Sequence, residues 1–106
     1  MEIEFKESYL QELYVDGKTK DKRFSSNPQL VKQYIKTVNK LKYLNKIEQL
    51  YQLTSLNYKK KVGNLKGKSA VYINQQYRLI FEEIPDESPP FEIKILALEE
   101  ISNHYE

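Results

Sequence analysis

Apolar side chains recur along this chain with two different periods, and the change falls near its middle. Leu30, Val31, Tyr34, Ile35, Val38 and Leu41 stand three and four residues apart, the spacing that lines one face of an α-helix. Asn27 supplies a capping oxygen just ahead of them and Pro28 suits a first helical position, so the spacing predicts a helix from Pro28 to about Lys42. Upstream, Ile3 and Phe5 alternate with charged residues over Glu2 to Lys6 and predict a short strand. Residues 7–14 predict a short helix with Leu10, Leu13 and Tyr14 inward, and the polar stretch from Val15 to Ser26 reads as a loop. Asn45, three residues before Glu48, resembles a capping box. It predicts another short helix that buries Ile47, Leu50, Tyr51 and Leu53.

The second half of the chain switches to a period of two. Lys59 to Lys68 is basic and interrupted by Gly63 and Gly67, consistent with a short strand and turns. Ser69 to Ile73 and Gln76 to Glu82 predict two strands joined tightly at Asn74-Gln75, the second with Tyr77, Leu79 and Phe81 on one face and Arg78 and Ile80 on the other. Glu83 to Pro90 holds three prolines and predicts a loop. Phe91 to Leu98 alternates again as a last strand, and Glu99 to Glu106 reads as a tail. No internal repeat is present. Helices followed by a meander of strands define an α+β fold, with N-terminal helices packed on a small, mainly antiparallel sheet of about three to five strands. The length suits a single domain over 1–106.

Composition narrows the function classes. With 40% hydrophobic and 30% charged residues, the chain reads as soluble and globular. It has no cysteine, which excludes disulfides and thiolate metal sites and fits a reducing cytoplasm. No apolar run approaches a membrane span and Met1 to Phe5 lacks a signal pattern. The expected location is therefore cytoplasmic, with no membrane partner and with neither a metal nor another cofactor. Charge changes the picture most. Residues 42–78 carry eight bases against the single acid Glu48, and residues 79–106 carry eight acids against the single base Lys94. Such segregation is consistent either with a surface for a polyanion or with lysine-rich loops that are merely solvated.

From Gly63 to Phe81, through Leu65-Lys66-Gly67 and then Val71-Tyr72-Ile73-Asn74-Gln75-Gln76-Tyr77-Arg78-Leu79-Ile80-Phe81, the sequence resembles the HigB-like, plasmid-maintenance "killer" toxins of the RelE/ParE superfamily. The tail Ile101-Ser102-Asn103-His104-Tyr105 is similar to that family's ending, and the two upstream helical segments sit where the family has its helical hairpin. The resemblance thus spans essentially the whole chain. It implies the toxin of a type II toxin–antitoxin system, a metal-independent mRNA endoribonuclease that acts on the ribosome and is neutralised by a cognate antitoxin. One position departs from the pattern: Tyr72 stands where the family commonly carries an arginine against the RNA phosphate.

Metal-free RNA cleavage needs a base for the 2′-hydroxyl proton, an acid for the leaving 5′-oxygen, and cations for the phosphorane. His104 is the only histidine and titrates near neutrality when unperturbed, so it is the candidate acid or base, with Tyr105 as its partner. The alternative for both is an exposed terminal tail. Arg78 offers a planar cationic fork for phosphate; its alternative is a salt bridge to a neighbour such as Glu92. Lys66 and Lys68, two apart in a predicted strand, would clamp a phosphate from one face or else face solvent. Asn64 and Tyr72 complete the candidate RNA-binding set, Tyr72 as a stacking platform; Tyr77 is a core candidate. Two other functions remain open: a ParE-like gyrase-binding toxin, which needs no proton-transfer residue, and a catalytically decayed module that binds RNA or antitoxin.

Overall fold

The structure, a computed structural model, describes residues 1–60 and 67–103. Five strands form one sheet: β1 (Glu2–Phe5), β2 (Lys59–Lys60), β3 (Ser69–Tyr72), β4 (Arg78–Pro85) and β5 (Ile93–Ser102). Their order is β1-β5-β4-β3-β2. β1 runs parallel to β5, and every other pair is antiparallel. Two helices, α1 (Ser8–Asp16) and α2 (Pro28–Lys42), cover one face, and two short 3-10 helices (Ile47–Tyr51 and Thr54–Leu56) lead from α2 into β2. This is the α+β arrangement that the change of period predicts. Among the described residues no helix is long and apolar enough to cross a membrane.

The helix boundaries follow from local chemistry. Asn27 Oδ1 accepts the Leu30 N–H at 3.2 Å, and Pro28 occupies the first turn, a cap worth about 1 kcal/mol. α1 ends at Gly17, whose φ of 71° lets its N–H reach the Leu13 carbonyl; a residue with a Cβ is strained there. Tyr9, Leu10 and Leu13 of α1 and Leu30, Val31, Tyr34, Val38 and Leu41 of α2 meet Val71, Leu79, Phe81, Leu96, Leu98 and Ile101 of the sheet in one apolar cluster. Each fully buried leucine there contributes about 1.5–3 kcal/mol of transfer free energy. The polar atoms on this face have partners. Tyr34 donates its hydroxyl to the Leu10 carbonyl at 2.8 Å and Thr37 donates to Gln33 O. Burial pushes the Tyr34 phenol pKa up.

Four sequence expectations are corrected. α1 runs on to Asp16, leaving Val15 exposed. The segment after Asn45 is not an α-helix capped by Asn45 and Glu48. Gln49 Oε1 instead accepts the Asn45 and Lys46 N–H groups at 2.7 and 3.1 Å, and the turns are 3-10. With three residues per turn, Leu50 and Leu56 point inward while Tyr51 and Leu53 face solvent. The connection between β3 and β4 is longer than two residues, because Asn74 Oδ1 accepts the Gln76 and Tyr77 N–H groups and closes a turn over Ile73–Tyr77. Finally, the strand does not stop at Leu98. β5 continues to Ser102 because the first residues of β4 need its ladder, with a register shift that places two residues of β5, Leu98 and Glu100, opposite the consecutive Phe81 and Ile80 and leaves Glu99 as the bulge.

Candidate functional site

At one end of the sheet three strands place Tyr72, Arg78 and Ser102 side by side in register. All three lie on the face away from the helices, since their neighbours Val71, Leu79 and Ile101 point into the core. The Arg78 guanidinium carbon sits 3.6 Å from the centroid of the Tyr72 ring, within cation–π range. Arg78 Nη1 also donates to the carbonyls of Asn74 at 2.9 Å and Gln75 at 3.0 Å. The side chain is thus clamped between a ring and the turn. It has no carboxylate partner among the described residues, and Glu92 is not one. Glu92 precedes β5, whose residue Ile93 pairs with Pro85 at the opposite end of β4, roughly 20 Å away at about 3.3 Å per residue.

Beside this row lies an open cleft of about 480 Å³ lined by Arg23, Phe24, Tyr77, Glu100, Ile101, Ser102 and Asn103. β1 pairs with β5 only as far as Leu98, so past that point α1 and the loop after it close the strand's edge. Tyr9 Oη accepts the Ile101 N–H at 3.1 Å, and Tyr9 stacks on Phe24 with centroids 5.4 Å apart. Burial pushes the Tyr9 phenol pKa up. Arg23 lies over both rings, 4.8 Å from Tyr9 and 5.0 Å from Phe24, and grips Asp21 through Nε and Nη2 at 3.0 and 2.7 Å. That bidentate bond holds the Asp21 carboxyl below its usual range. The cleft therefore offers a pre-oriented guanidinium, an exposed carboxylate on Glu100 and a partly buried phenol on Tyr77. Of these, Arg23 is already neutralised by Asp21, and Glu100 adds a negative charge.

Away from the cleft the cations are occupied. Lys68, just ahead of β3, bonds the Glu99 carboxylate and lies 3.9 Å from Glu82. Lys6 reaches the same two acids, at 2.6 Å from Glu82 and 3.0 Å from Glu99. Burial alone would raise the Glu99 pKa, but bonds from Lys68 and Lys6 hold it below its usual range. The Lys6 bond does the same for Glu82. On the helix side, nearly buried Glu83 accepts from Tyr58 Oη and from Ser69 Oγ at 2.6 Å, and Lys60 Nζ lies 3.6 Å from it. Burial, and then the bond to Glu83, push the Tyr58 phenol pKa up.

Of the sequence-predicted site residues, Arg78 and Tyr72 are brought together. Lys68 is held four residues along the chain from Tyr72, in the lattice with Glu82, Glu99 and Lys6 and outside the strand. Tyr72 and Tyr77 leave opposite faces, Tyr77 packing partly on the core. Asn64, Lys66, His104 and Tyr105 lie outside the described residues; Asn103, which precedes the last two in the chain, is on the cleft wall. Sequence reading missed Arg23 and Glu100. The only sign of Arg23 was an arginine joined to Phe24, the lone large apolar residue of an otherwise polar loop, and Glu100 was hidden in a segment read as tail.

No protein-family model matches the chain, and no curated protein matches it in sequence. Among solved structures, a histidine-to-glutamine mutant of YafQ from E. coli is similar at 20% identity, covering 94% of this chain and 89% of that one with a TM-score of 0.43. YafQ from E. coli strain BL21(DE3) is similar at 17% identity, with the same coverages and a TM-score of 0.44. Similarity this loose leaves the function to be read from the chain's own residues.

Proposed function

We propose that this protein is a RelE/ParE-superfamily toxin of HigB-like type, an endoribonuclease that cleaves mRNA on the ribosome without a metal and is silenced by a cognate antitoxin. The observation that carries the reading is Arg78, stacked on Tyr72 and without a carboxylate partner among the described residues, in register with Ser102, which lines a cleft whose wall also includes Asn103. The next residues in the chain are His104 and Tyr105. In the proposed reaction the ribose 2′-oxygen attacks its own 3′-phosphorus, the bond to the 5′-oxygen breaks, and a 2′,3′-cyclic phosphate and a 5′-hydroxyl result. His104 takes the 2′-hydroxyl proton or gives one to the leaving 5′-oxygen, and Tyr105 serves the other of these two transfers. Arg78 balances the charge that builds on the phosphorane. Asn64, Lys66, Lys68 and Tyr72 contact the RNA around it.

The test replaces His104 with Ala and maps RNA 5′ ends by primer extension in cells expressing each form. Cleavage falls by about 10²–10⁴ while the thermal melt stays where it was; full cleavage by the variant sinks the mechanism. A second reading, a module that binds RNA or antitoxin without cutting, is favoured by one observation. Lys68 is already neutralised by Glu99 and Glu82, and Tyr72 brings no charge where the family has arginine. Binding without any cleavage by the unaltered protein would decide for it.

A further inference from the structure

α2 contains Lys32, Lys36, Lys40 and Lys42 and no Asp or Glu. Over residues 17–46 the bases are Lys18, Lys20, Lys22, Arg23, Lys32, Lys36, Lys40, Lys42 and Lys46, against Asp21 alone, and Arg23 already occupies that carboxylate. Lys32, Lys36 and Lys40 are all exposed. Four residues advance a helix by about 6 Å and turn it about 40° past a full circle, so the three form a row about 12 Å long. The row lies opposite the stripe of Leu30, Tyr34 and Val38 that meets the sheet. None of the three pairs with an acid among the described residues, whereas Lys6, Lys60 and Lys68 all do. Like charges four residues apart destabilise a helix. The macrodipole favours only the lysines of its last turn, Lys40 and Lys42, so the row as a whole does not serve the fold.

At the end of the row stands Tyr43, 83% exposed. It borders an open cleft of about 350 Å³ that also includes Lys40, Leu44, Gln49, Gln52 and Leu53. We infer that the outer face of α2 is a second RNA-binding surface, where Lys32, Lys36 and Lys40 hold the phosphates of one strand and Tyr43 stacks an unpaired base at its end. Lysines in file are point charges that track a backbone without reading sequence, and an exposed phenol ring stacks any base. An acidic protein would fit less well, because protein interfaces centre on desolvated apolar and aromatic groups and the row between the lysines offers none. The choice of RNA as the polyanion rests on the endoribonuclease reading. Occupied together, the two surfaces would hold a long RNA on the molecule while the cleft acts on one phosphate.

The test measures binding of a fluorescent 12-nucleotide 2′-O-methyl RNA, which cannot be cut, by anisotropy across a range of salt. A Lys32→Gln, Lys36→Gln, Lys40→Gln triple variant is compared with the unaltered protein. Three lost phosphate contacts lower the salt slope by about 2 and weaken binding about 50-fold at 0.15 M salt, with an unchanged thermal melt. Tyr43→Ala weakens binding further without changing the slope. An unchanged slope in the triple variant overturns the inference, as does equal competition by poly-glutamate of matched charge, which would reassign the face to acidic proteins. Failure of the cleavage reading looks different. The unaltered protein would then bind the RNA with the predicted slope and yet cut no cellular message.

Discussion

Lys6 and Lys68 on the sheet and Lys36 and Lys40 on α2 are the same side chain in opposite electrostatic settings. The first two share Glu82 and Glu99 in a lattice that alternates in sign. The second two stand in a row with no acid on their helix. Counted along the sequence, the ranking comes out reversed: the block that contains Lys68 carries the large positive excess, while residues 1–41 look almost balanced. Folding changes this because β5 delivers its acids beside β4 and β1, where they meet the sheet's lysines. The acids of the first forty residues lie mostly in β1 and α1, and none lies on α2. A basic run in sequence therefore measures charge present, and only the pairing in three dimensions measures charge available to a ligand.

The comparison can be broken at its exception, Arg78, a sheet cation without a described carboxylate partner. Arg78→Ala is expected to lower RNA cleavage by about 10²–10³, the loss typical of removing one electrostatic stabiliser. Arg78→Lys restores only part of it, because an ammonium cannot stack on Tyr72 in the same way. Equal rates for Arg78→Lys and the unaltered protein would reduce Arg78 to a plain positive charge. The next effect is smaller. Glu99→Gln removes the central acid of the lattice and should cost about 1 kcal/mol in a urea titration, near the upper end for a partly exposed network. It also loosens the hold on Lys68, whose other acid, Glu82, lies 3.9 Å away, so RNA binding should tighten a few-fold. Weaker binding in that variant would mean the lattice positions a contact rather than neutralising one.

The smallest effect is a pH dependence. Glu82 and Glu99 have folded pKa values below the ordinary 4.5. The stability they add is then fully present above pH 4.5 and is lost as the pH falls through the depressed values. The stability gap between the unaltered protein and a Glu82→Gln, Glu99→Gln double variant, kept small by solvent screening, should narrow as the pH is lowered below 4.5. A gap that does not narrow on acidification would show that packing, not charge, holds these side chains.

Periodicity made α2, its cap at Asn27, and the inward face of Leu79 and Phe81 legible in the sequence, because each is set by residues close together in the chain. β5 beyond Leu98 was not legible. Glu99 and Glu100 break the alternation, and only the partner strand supplies a reason for Ile101 and Ser102 to stay extended. The same limit applies to the cleft. A two-residue turn at Asn74-Gln75 would set Tyr72 opposite Tyr77, and only the longer turn brings it opposite Arg78. Arg23 reaches the cleft wall only through Tyr9 and Phe24, packed beside a strand more than seventy residues later. Leu53 and Tyr51 were misassigned for a different reason: an α-helical period was applied to a segment whose hydrogen bonds close every three residues.

Tyr9 has a consequence beyond the cleft. A strand that outruns its neighbour exposes amides that any other extended chain can pair with, and β5 outruns β1 at Leu98. Its Ile101 amide is covered by the Tyr9 hydroxyl, with Phe24 stacked behind the ring. The contact that shapes one wall of the cleft thereby also denies that amide to a second copy of the protein, guarding against edge-to-edge association as the molecule becomes concentrated.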